Sequence, residues 1–269
     1  MAIELHFFLH LQILLRKRTE KKGRTRLSVS TDAKIGIPKT TEMGKTEILL
    51  STAYLPPVEY MAAMVQAESV CIEAHEHYHK QTYRNRCRIL SVCGPEILSI
   101  PVSKTTPNHC PIREMRISYA ENWRRTHWKT FTTCYDTSPY FLYYRDYLEP
   151  FYCGKKYDFL FDFNWDLLEI ILQLLKASPS IRLNETFEAQ PADCLDLRNL
   201  IQPKQLSVKE YPFNNQPAYT QVFADKSHFH PHLSILDLLC NKGPDSLEYL
   251  QNWKWNYDPI NGGCEFERP

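Results

Sequence analysis

Glycine is scarce in this sequence, with only 8 of 269 residues. Neither glycine-rich phosphate-binding pattern, GxGxxG or GxxxxGK[ST], occurs, so a dinucleotide fingerprint and a P-loop of the usual kind are excluded. Charge of one sign is lacking as well, because 32 Lys and Arg residues face 31 Asp and Glu residues. A net charge of +1 supplies no overall field that attracts nucleic acid, and we expect no nucleic-acid partner.

Long apolar runs and paired cysteines are also missing. The apolar stretch 7–15 is far shorter than the roughly 20 residues that a membrane span needs. A basic run follows this stretch, whereas a signal peptide carries its charge in front. The nine cysteines include no C-x-x-C pair, which is typical of reduced thiols rather than of a zinc ribbon. The sequence therefore predicts a cytoplasmic protein without a membrane span.

The beginning of the chain differs in composition from the rest. Residues 16–46 are polar and rich in Lys, Arg, Thr and Ser, which is typical of disorder. Met43 stands just before the first strong strand pattern. We expect residues 1–46 to be a disordered extension outside the native protein, with translation starting at Met43, and residues 47–269 to form one domain.

Alternating strand and helix patterns open this domain. The segments 47–51 and 69–74 are apolar runs suited to buried strands. Residues 58–67 carry apolar side chains at helical spacing after two prolines, a helix start signal. Strand, helix and strand in close succession predict a βαβ unit with a parallel pair. Segments 88–92 and 97–102 flank turn residues and predict a hairpin.

The second half of the chain is mostly helical in pattern. Alternation over 112–118 predicts one more strand before it. The fold class is therefore α/β, with a mixed sheet, a Rossmann-like βαβ start and a mostly helical second half. The other predicted elements are helices over 123–135, 139–151 and 165–176 (the last capped by Asn164), a late strand over 180–188, an irregular segment over 191–215, a helix over 234–240 with Ser234 and Asp237 as a capping-box variant, and a helix that starts after Gly243.

The polar segment Glu73–Arg88 is the strongest candidate for a functional site. It follows the second predicted strand, and the carboxyl ends of strands in a βαβ unit face the crevice where ligands bind. Arg86 and Arg88 share a face of an extended chain. Their guanidinium groups, with Gln81 and Asn85, can hold a phosphate or carboxylate. A solvated polar connection explains the same composition, so both interpretations stay open.

Histidines alternate within this segment. In an extended chain, Glu73, His75, His77 and His79 would present four potential metal ligands on one side. Histidine-rich strand edges are commoner than metal sites, however, and we predict no metal here.

A basic and aromatic helix is the second candidate. Trp123 and His127 lie four residues apart and share a face, as do Arg124 and Trp128. Such a face can stack a base or a sugar ring. An amphipathic helix with its Trp residues in the core is the alternative.

These motifs together resemble the WbqC-like family over residues 48–250. The matching runs are STAYLPPVEY, EAHEHYHKQTYRNRCRI, LSIPV, NWRRTHWKT, YDTSPYF and LSILDLLCNKGPDSL, in this order. The resemblance implies a part in surface-polysaccharide (O-antigen) biosynthesis, and a glycine-transferase role has been suggested for the family. His77 and His79 lie outside the family pattern, which weakens the metal interpretation further.

The resemblance implies roles for the matching residues. Glu73 or His75 would act as the general base, and His127 as a second acid or base. Arg86 and Arg88 would hold a phosphate, and Trp123 would be a platform for a sugar ring. The predicted substrate-binding residues are Tyr60, Lys80, Gln81, Tyr83, Asn85, Arg86, Arg88, Trp123 and Tyr135.

We therefore expect a transferase that acts on a sugar intermediate, with an aminoacyl or glycyl group as the candidate for transfer. The expected ligand is a small molecule or a sugar-linked phosphate. A non-catalytic ligand-binding or assembly protein of the same pathway is the alternative. A hydrolase or nucleotidyl transferase on a Rossmann-like core is a third option, although the H-x-G-H signature is absent. The sequence indicates no particular cofactor.

Overall fold

The structure of the protein is a computed structural model that describes residues 47–103, 110–191, 194–207, 211–223 and 228–255. These residues belong to one unit, Thr41–Pro269. The prediction of a disordered extension over 1–46 lies outside the described residues. In the described part of the chain, no helix has the length and apolar character needed to cross a membrane.

Strands and helices alternate at the start, and helices follow. In chain order the elements are β1 (Glu47–Ser51), α1 (Val58–Gln66), β2 (Ser69–Glu73), β3 (Arg86–Ser91), β4 (Gly94–Ser99), α2 (Trp123–Tyr135), α3 (Phe141–Cys153), α4 (Leu160–Leu175), β5 (Ile181–Leu183), β6 (Leu195–Asp196), α5 (Ile235–Lys242) and α6 (Ser246–Asn252), with 3-10 turns at Ile112–Glu114, Pro203–Ser207 and Gly243–Asp245.

A parallel sheet of four strands forms the centre, in the order β5-β2-β1-β6. β1 and β2 pair in parallel from Glu47 opposite Ser69 to Ser51 opposite Glu73, which confirms the predicted βαβ unit. Both strands are buried at every position after the first, because helices and loops cover the two faces of a parallel sheet. The fold class is α/β, as the sequence predicts.

The predicted hairpin is confirmed and forms a separate antiparallel ribbon. β3 and β4 pair from Arg86 opposite Ser99 to Ser91 opposite Gly94. Gly94 closes the turn with a φ of 107°, a conformation that suits glycine and few other residues. Neither β3 nor β4 pairs with a strand of the four-stranded parallel sheet, so the hairpin is a separate two-stranded sheet.

The helical half follows the predicted order, with α3 shifted from 139–151 to Phe141–Cys153 and with α4 corrected as follows. α2 has the predicted bounds, whereas α4 begins at Leu160 instead of 165. Asn164 does not cap α4, because the apolar stripe extends back through Leu160 and Phe161 and places Asn164 inside the helix. Its buried side chain donates to the Arg84 carbonyl at 2.8 Å instead.

The predicted strand over 112–118 is wrong. Ile112–Glu114 forms a 3-10 turn, and the rest of the segment takes part in isolated bridges rather than in a strand, Val102 with Ile117 and Arg116 with Phe159. Ile112, Met115 and Ile117 are buried, so the apolar pattern reflects anchoring in the core rather than an extended ladder.

Two strands near the end of the sheet differ from the predictions. The late strand is only Ile181–Leu183, shorter than predicted. β6 lies in the segment predicted to be irregular, where two residues pair with β1.

At the start of α5, only the Ser234 half of the predicted capping box is present. The Ser234 Oγ accepts the Leu236 N–H at 3.2 Å. The Asp237 carboxylate does not reach back to the Ser234 N–H, which donates to the Arg88 carbonyl. Instead, Asp237 accepts a hydrogen bond from the Tyr219 hydroxyl at 2.6 Å.

Candidate functional site

The strand order reverses at β1. The chain places β2 and then β5 on one side of β1, and it returns to place β6 on the other side. In open parallel sheets, ligands bind at the carboxyl ends of the two strands where such a reversal occurs. The crevice between the ends of β1 and β6 is therefore the site that the topology indicates.

A small cavity lies at this point. Its volume is about 10 Å³, the space of roughly one water molecule, and it is partly open to solvent. The lining comes from the residues that end β1, the residues that follow β6, and three side chains from α1 and the polar segment: Leu50, Ser51, Thr52, Ala53, Leu197, Arg198, Ile201, Tyr60, Tyr83 and Arg84. The topology and the cavity thus indicate the same place.

A buried ion pair forms one wall of the cavity. The Arg84 Nε donates to Glu76 Oε1 at 2.8 Å, and its Nη2 donates to the other oxygen of the same carboxylate. Nη2 also donates to the Ser51 Oγ at 2.7 Å. Both charged side chains are almost fully buried, at 3% and 4% exposure. This bidentate geometry fixes the guanidinium plane beside the end of β1.

A second buried ion pair approaches from the β6 side. Glu73, at the end of β2, is completely buried, and its Oε2 accepts from Arg198 Nη1 at 2.7 Å. Arg198 also donates from Nε and Nη2 to the Asp196 carboxylate, at 2.9 and 2.7 Å. The other Glu73 oxygen accepts the His75 N–H at 2.8 Å and an Asn184 amide hydrogen. The pair joins the ends of β2 and β6 across β1.

The cavity lining contains two arginines, and the carboxylates of Glu73, Glu76 and Asp196 already balance their charge. Two arginines from opposite sides of β1 line the cavity together with the hydroxyl-bearing Ser51 and Thr52. Carboxylates hold both guanidinium groups in place before any ligand arrives, which lowers the entropic cost of binding. The hydrogen bonds of Arg84 to Glu76 and Ser51 use Nε and Nη2, which leaves Nη1 for a phosphate or carboxylate oxygen.

Three of the predicted site residues lie at this crevice. Tyr60 and Tyr83 line the cavity. The Tyr60 hydroxyl donates to the Ser51 carbonyl at 3.0 Å, whereas the buried Tyr83 hydroxyl has no partner in the described part of the chain. Glu73 lies behind Arg198 and does not itself line the cavity.

The connection after β2 carries three more predicted residues, all exposed. His75, Lys80 and Gln81 present their side chains to solvent. Gln81 has a φ of 62°, so the chain turns sharply there. The His75 N–H bonds to Glu73, which anchors this end of the connection at the carboxyl edge of the sheet.

The predicted residues on the hairpin lie apart from the cavity. Arg86 and Arg88 share a face of β3, as predicted, because successive side chains of a strand point to opposite faces. Cys87, between them, points to the buried face. The Arg88 Nη1 donates to the Pro231 carbonyl at 3.4 Å. The buried Nε of Arg86 has no hydrogen-bond partner within the described ranges. Asn85 is buried, and its amide donates to the Ile100 carbonyl at 2.8 Å.

The predicted residues of α2 are in the core. Trp123 and His127 are each 4% exposed, and Tyr135 is completely buried. The His127 Nδ1 lies 2.8 Å from the Tyr54 hydroxyl, and burial lowers the pKa of His127 to about 4. This placement matches the alternative of an amphipathic helix with a core face, and none of the three lines the cavity. Their functional roles stay predictions.

The histidines after β2 do not form the extended row on which the metal interpretation depends. The backbone bends at 75–76, and His77 forms a bridge with Pro111. Within the described ranges, no group of three or more His, Cys, Asp and Glu residues is placed to hold a metal ion.

A family comparison covers the crevice. The model of the WbqC-like protein family matches residues 52–212, which is more than half of the chain. The chain belongs to the WbqC-like protein family. The matched range begins at the carboxyl end of β1 and includes Arg84 and Arg198. In this WbqC-like protein, the family region therefore contains both buried ion pairs of the crevice.

The WbqC-like chain is also similar to the uncharacterized protein Rv1507c of Mycobacterium tuberculosis. The two are 26% identical over 229 residues, which are 77% of this chain and 98% of the relative. No solved structure is significantly similar to this WbqC-like chain.

Sequence reasoning missed three residues of the crevice, Ser51, Arg84 and Arg198. Arg84 lies in the polar segment, but the prediction favoured its neighbours Arg86 and Arg88. Arg198 lies in a segment of irregular pattern and gives no local signal. Only the pairing of β6 with β1 brings it to the site.

Proposed function

We propose that this WbqC-like protein is a transferase that binds a phosphate-bearing sugar intermediate of surface-polysaccharide biosynthesis in the β1–β6 crevice and transfers a small group, such as an aminoacyl group, to it. The convergence of Arg84 and Arg198 on one cavity is the observation that supports this proposal. Arginine binds phosphate oxygens in bidentate fashion, and its charge persists at every physiological pH. The eight described cysteines are all unpaired, which supports action in a reducing compartment such as the cytoplasm.

His75 is the candidate base for the transfer. Glu73 is poorly suited to that role, because three donors already occupy its two oxygens. It acts instead as a positioning residue for Arg198. His75 is exposed and stands two residues after Glu73 at the carboxyl edge, and histidine is the side chain that most often acts as a general base. It can therefore take a proton from an acceptor hydroxyl or amine of a ligand in the crevice.

Replacing His75 tests this assignment. We expect His75→Gln to lower kcat by about 100-fold, the usual contribution of a general base, with little change in KM. The assay follows transfer of an isotope-labelled aminoacyl group from an activated donor to a panel of sugar nucleotides. His79→Gln is the matched control, since His79 is an exposed histidine of the same connection. Equal kcat values for the two variants would contradict the role of His75.

A binding protein without turnover is the second candidate function. One observation favours it: among the described residues, no histidine and no carboxylate lines the cavity. In that case titration calorimetry detects saturable binding of a sugar nucleotide, and no product forms after long incubation.

A further inference from the structure

A second cluster of buried polar groups lies beside the cavity. Glu59, in the first turn of α1, is completely buried and precedes Tyr60, which lines the cavity. The Tyr211 hydroxyl donates to Glu59 Oε1 at 3.2 Å. The His232 Nδ1 lies 3.4 Å from the same oxygen, and its ring packs edge-on against Tyr211. The charge of Glu59 also contributes to the raised pKa of Tyr83, after the larger effect of burial.

This cluster is incomplete as a hydrogen-bonded network. Glu59 Oε2, the Tyr83 hydroxyl and His232 Nδ1 are all buried without a hydrogen-bond partner among the residues that the structure describes. The contact of His232 with Glu59 is within ion-pair distance, but it is not aligned as a hydrogen bond. Burying an unpaired polar atom is costly, so three of them in one cluster indicate a missing partner.

The carboxylate of Glu59 differs from the others in the interior. Glu73 and Glu76 each pair with an arginine, whereas Glu59 pairs with no Lys or Arg of the described residues. The Arg88 guanidinium donates to the Pro231 carbonyl instead. The amino terminus of α1 favours a negative charge at Glu59 but supplies no counter-ion.

The backbone at His232 is also unusual. Its φ is 60°, a left-handed conformation that non-glycine residues rarely adopt, and the Gln216 Oε1 accepts its N–H at 2.7 Å. Such conformations persist where the surrounding structure enforces them, and they concentrate at functional sites.

We propose that Glu59, Tyr83 and His232 bind the primary ammonium group of the ligand that occupies the cavity. An ammonium group has three N–H donors, which equals the number of unpartnered atoms, and its positive charge complements Glu59. His232 Nδ1 accepts one of these bonds when the ring is neutral and carries its proton on Nε2. Tyr83 is the link, because it lines the cavity and its buried hydroxyl has no hydrogen-bond partner among the described residues.

The ligand class follows from the two sites together. The crevice offers guanidinium groups to an anion, and the cluster offers acceptors to an ammonium group. An amine-bearing phosphate ester meets both demands. This inference rests on the crevice being the ligand site, as proposed above, but it requires no turnover. A metal ion is a poorer occupant, because the described residues contain no group of three or more metal-binding His, Cys, Asp and Glu side chains.

Calorimetry with two isosteric probes tests the ammonium site. The probes are 2-aminoethyl phosphate and 2-hydroxyethyl phosphate, which differ only in the group that would reach the cluster. We expect the purified full chain to bind the amine at least about tenfold more tightly, since a hydrogen bond to a charged group supplies that factor. Glu59→Gln should abolish the preference, and Tyr83→Phe should reduce it. Glu47→Gln is the control, because it removes one carboxylate from the start of β1.

Several outcomes would overturn the ammonium site. They are equal affinity of the wild-type protein for the two probes, no binding of the amine probe, and a preference that survives Glu59→Gln. A thermal unfolding scan without ligand shows whether Glu59→Gln folds, and we expect its Tm to rise because an unpaired buried charge is removed. A lack of group transfer with the amine preference intact would refute only the transferase proposal.

Discussion

At the scale of single residues, Asp237 shows how burial without a cation changes a carboxyl group. It is completely buried, and neutral donors hold it: the Tyr219 hydroxyl at 2.6 Å and the Gln221 amide at 3.3 Å from Oδ2. Burial raises the pKa of Asp237 from 3.8 to about 6, although these hydrogen bonds lower it in part. Between about pH 4 and pH 6, the folded protein therefore keeps a proton on Asp237 that the unfolded chain has already released.

This shift makes stability fall as pH rises. Because the folded pKa is the higher one, the stabilising contribution is present in full below about pH 4 and is lost by about pH 6. The loss amounts to about 3 kcal/mol. Asn does not ionise, so we expect Asp237→Asn to escape this loss of stability. The free energy of unfolding of the variant should therefore rise relative to that of the wild type as the pH increases from about 4 to about 6. Urea unfolding at several pH values measures the difference.

The comparison of variant with wild type is needed because His127 acts in the opposite direction. Its folded pKa is lowered to about 4, so it destabilises the protein as pH falls below about 6.5. Subtracting the wild-type curve removes this contribution. Asp146→Asn, on a side chain that is 84% exposed, is the control and should show no such trend. A flat difference curve for Asp237→Asn would contradict the raised pKa.

At the scale of elements, the turn between α5 and α6 depends on a glycine. Gly243 has a φ of 56°, and a Cβ at this position would overlap the ring of Tyr140. The Tyr140 N–H donates to the Cys240 carbonyl at 3.0 Å, which holds the residue against the end of α5. The turn thus combines a special backbone conformation with close packing against the start of α3.

Gly243→Ala should therefore cost more than a glycine replacement in open space. Gly94→Ala is the matched variant, because Gly94 also has a positive φ but a Cβ there meets nothing within 4 Å. The backbone conformation costs each variant about 1–3 kcal/mol. The overlap with Tyr140 should cost Gly243→Ala about 1–3 kcal/mol more. Chemical denaturation of both variants measures this difference, and equal losses would show that Tyr140 moves aside freely.

At the scale of the whole molecule, buried ion pairs hold the carboxyl edge of the sheet together. The Glu73–Arg198 pair joins residues 125 positions apart in sequence, and the Arg84–Glu76 pair ties the polar segment to Ser51 at the end of β1. These contacts fix the positions of both arginines that line the cavity. Stability and the geometry of the crevice therefore depend on the same groups.

Glu73→Gln should destabilise the protein by about 3 kcal/mol, because it leaves a buried guanidinium without one of its counter-ions. Asp196 still pairs with Arg198 in the variant, which limits the loss. Glu47→Gln removes one partner of the Arg182–Glu47 pair, in which Arg182 is 57% exposed, and should cost no more than about 1 kcal/mol. Thermal and urea unfolding of the two variants would refute the argument if the losses were similar.

Much of the fold could be predicted from local patterns. The βαβ unit, the hairpin, α2 and the glycine turn follow from apolar periodicity and turn residues, which act over a few neighbouring positions. The strand predicted over 112–118 is wrong because alternating burial also arises in a chain that is merely anchored at Ile112, Met115 and Ile117. Asn164 is a poor cap for the physical reason that the apolar stripe of its helix begins earlier.

The sequence by itself determined the α/β class, the family resemblance and the polar segment Glu73–Arg88, because each depends on residue types at short spacing. Only the tertiary structure decided which polar residues meet. It brought Arg198 to Glu73 and His232 to Glu59, and it buried Trp123 and His127 in the core. Strands that are distant in sequence pair with each other, and whole helix faces become buried. Both are long-range effects, so short-range patterns in a single sequence do not show which residues will meet.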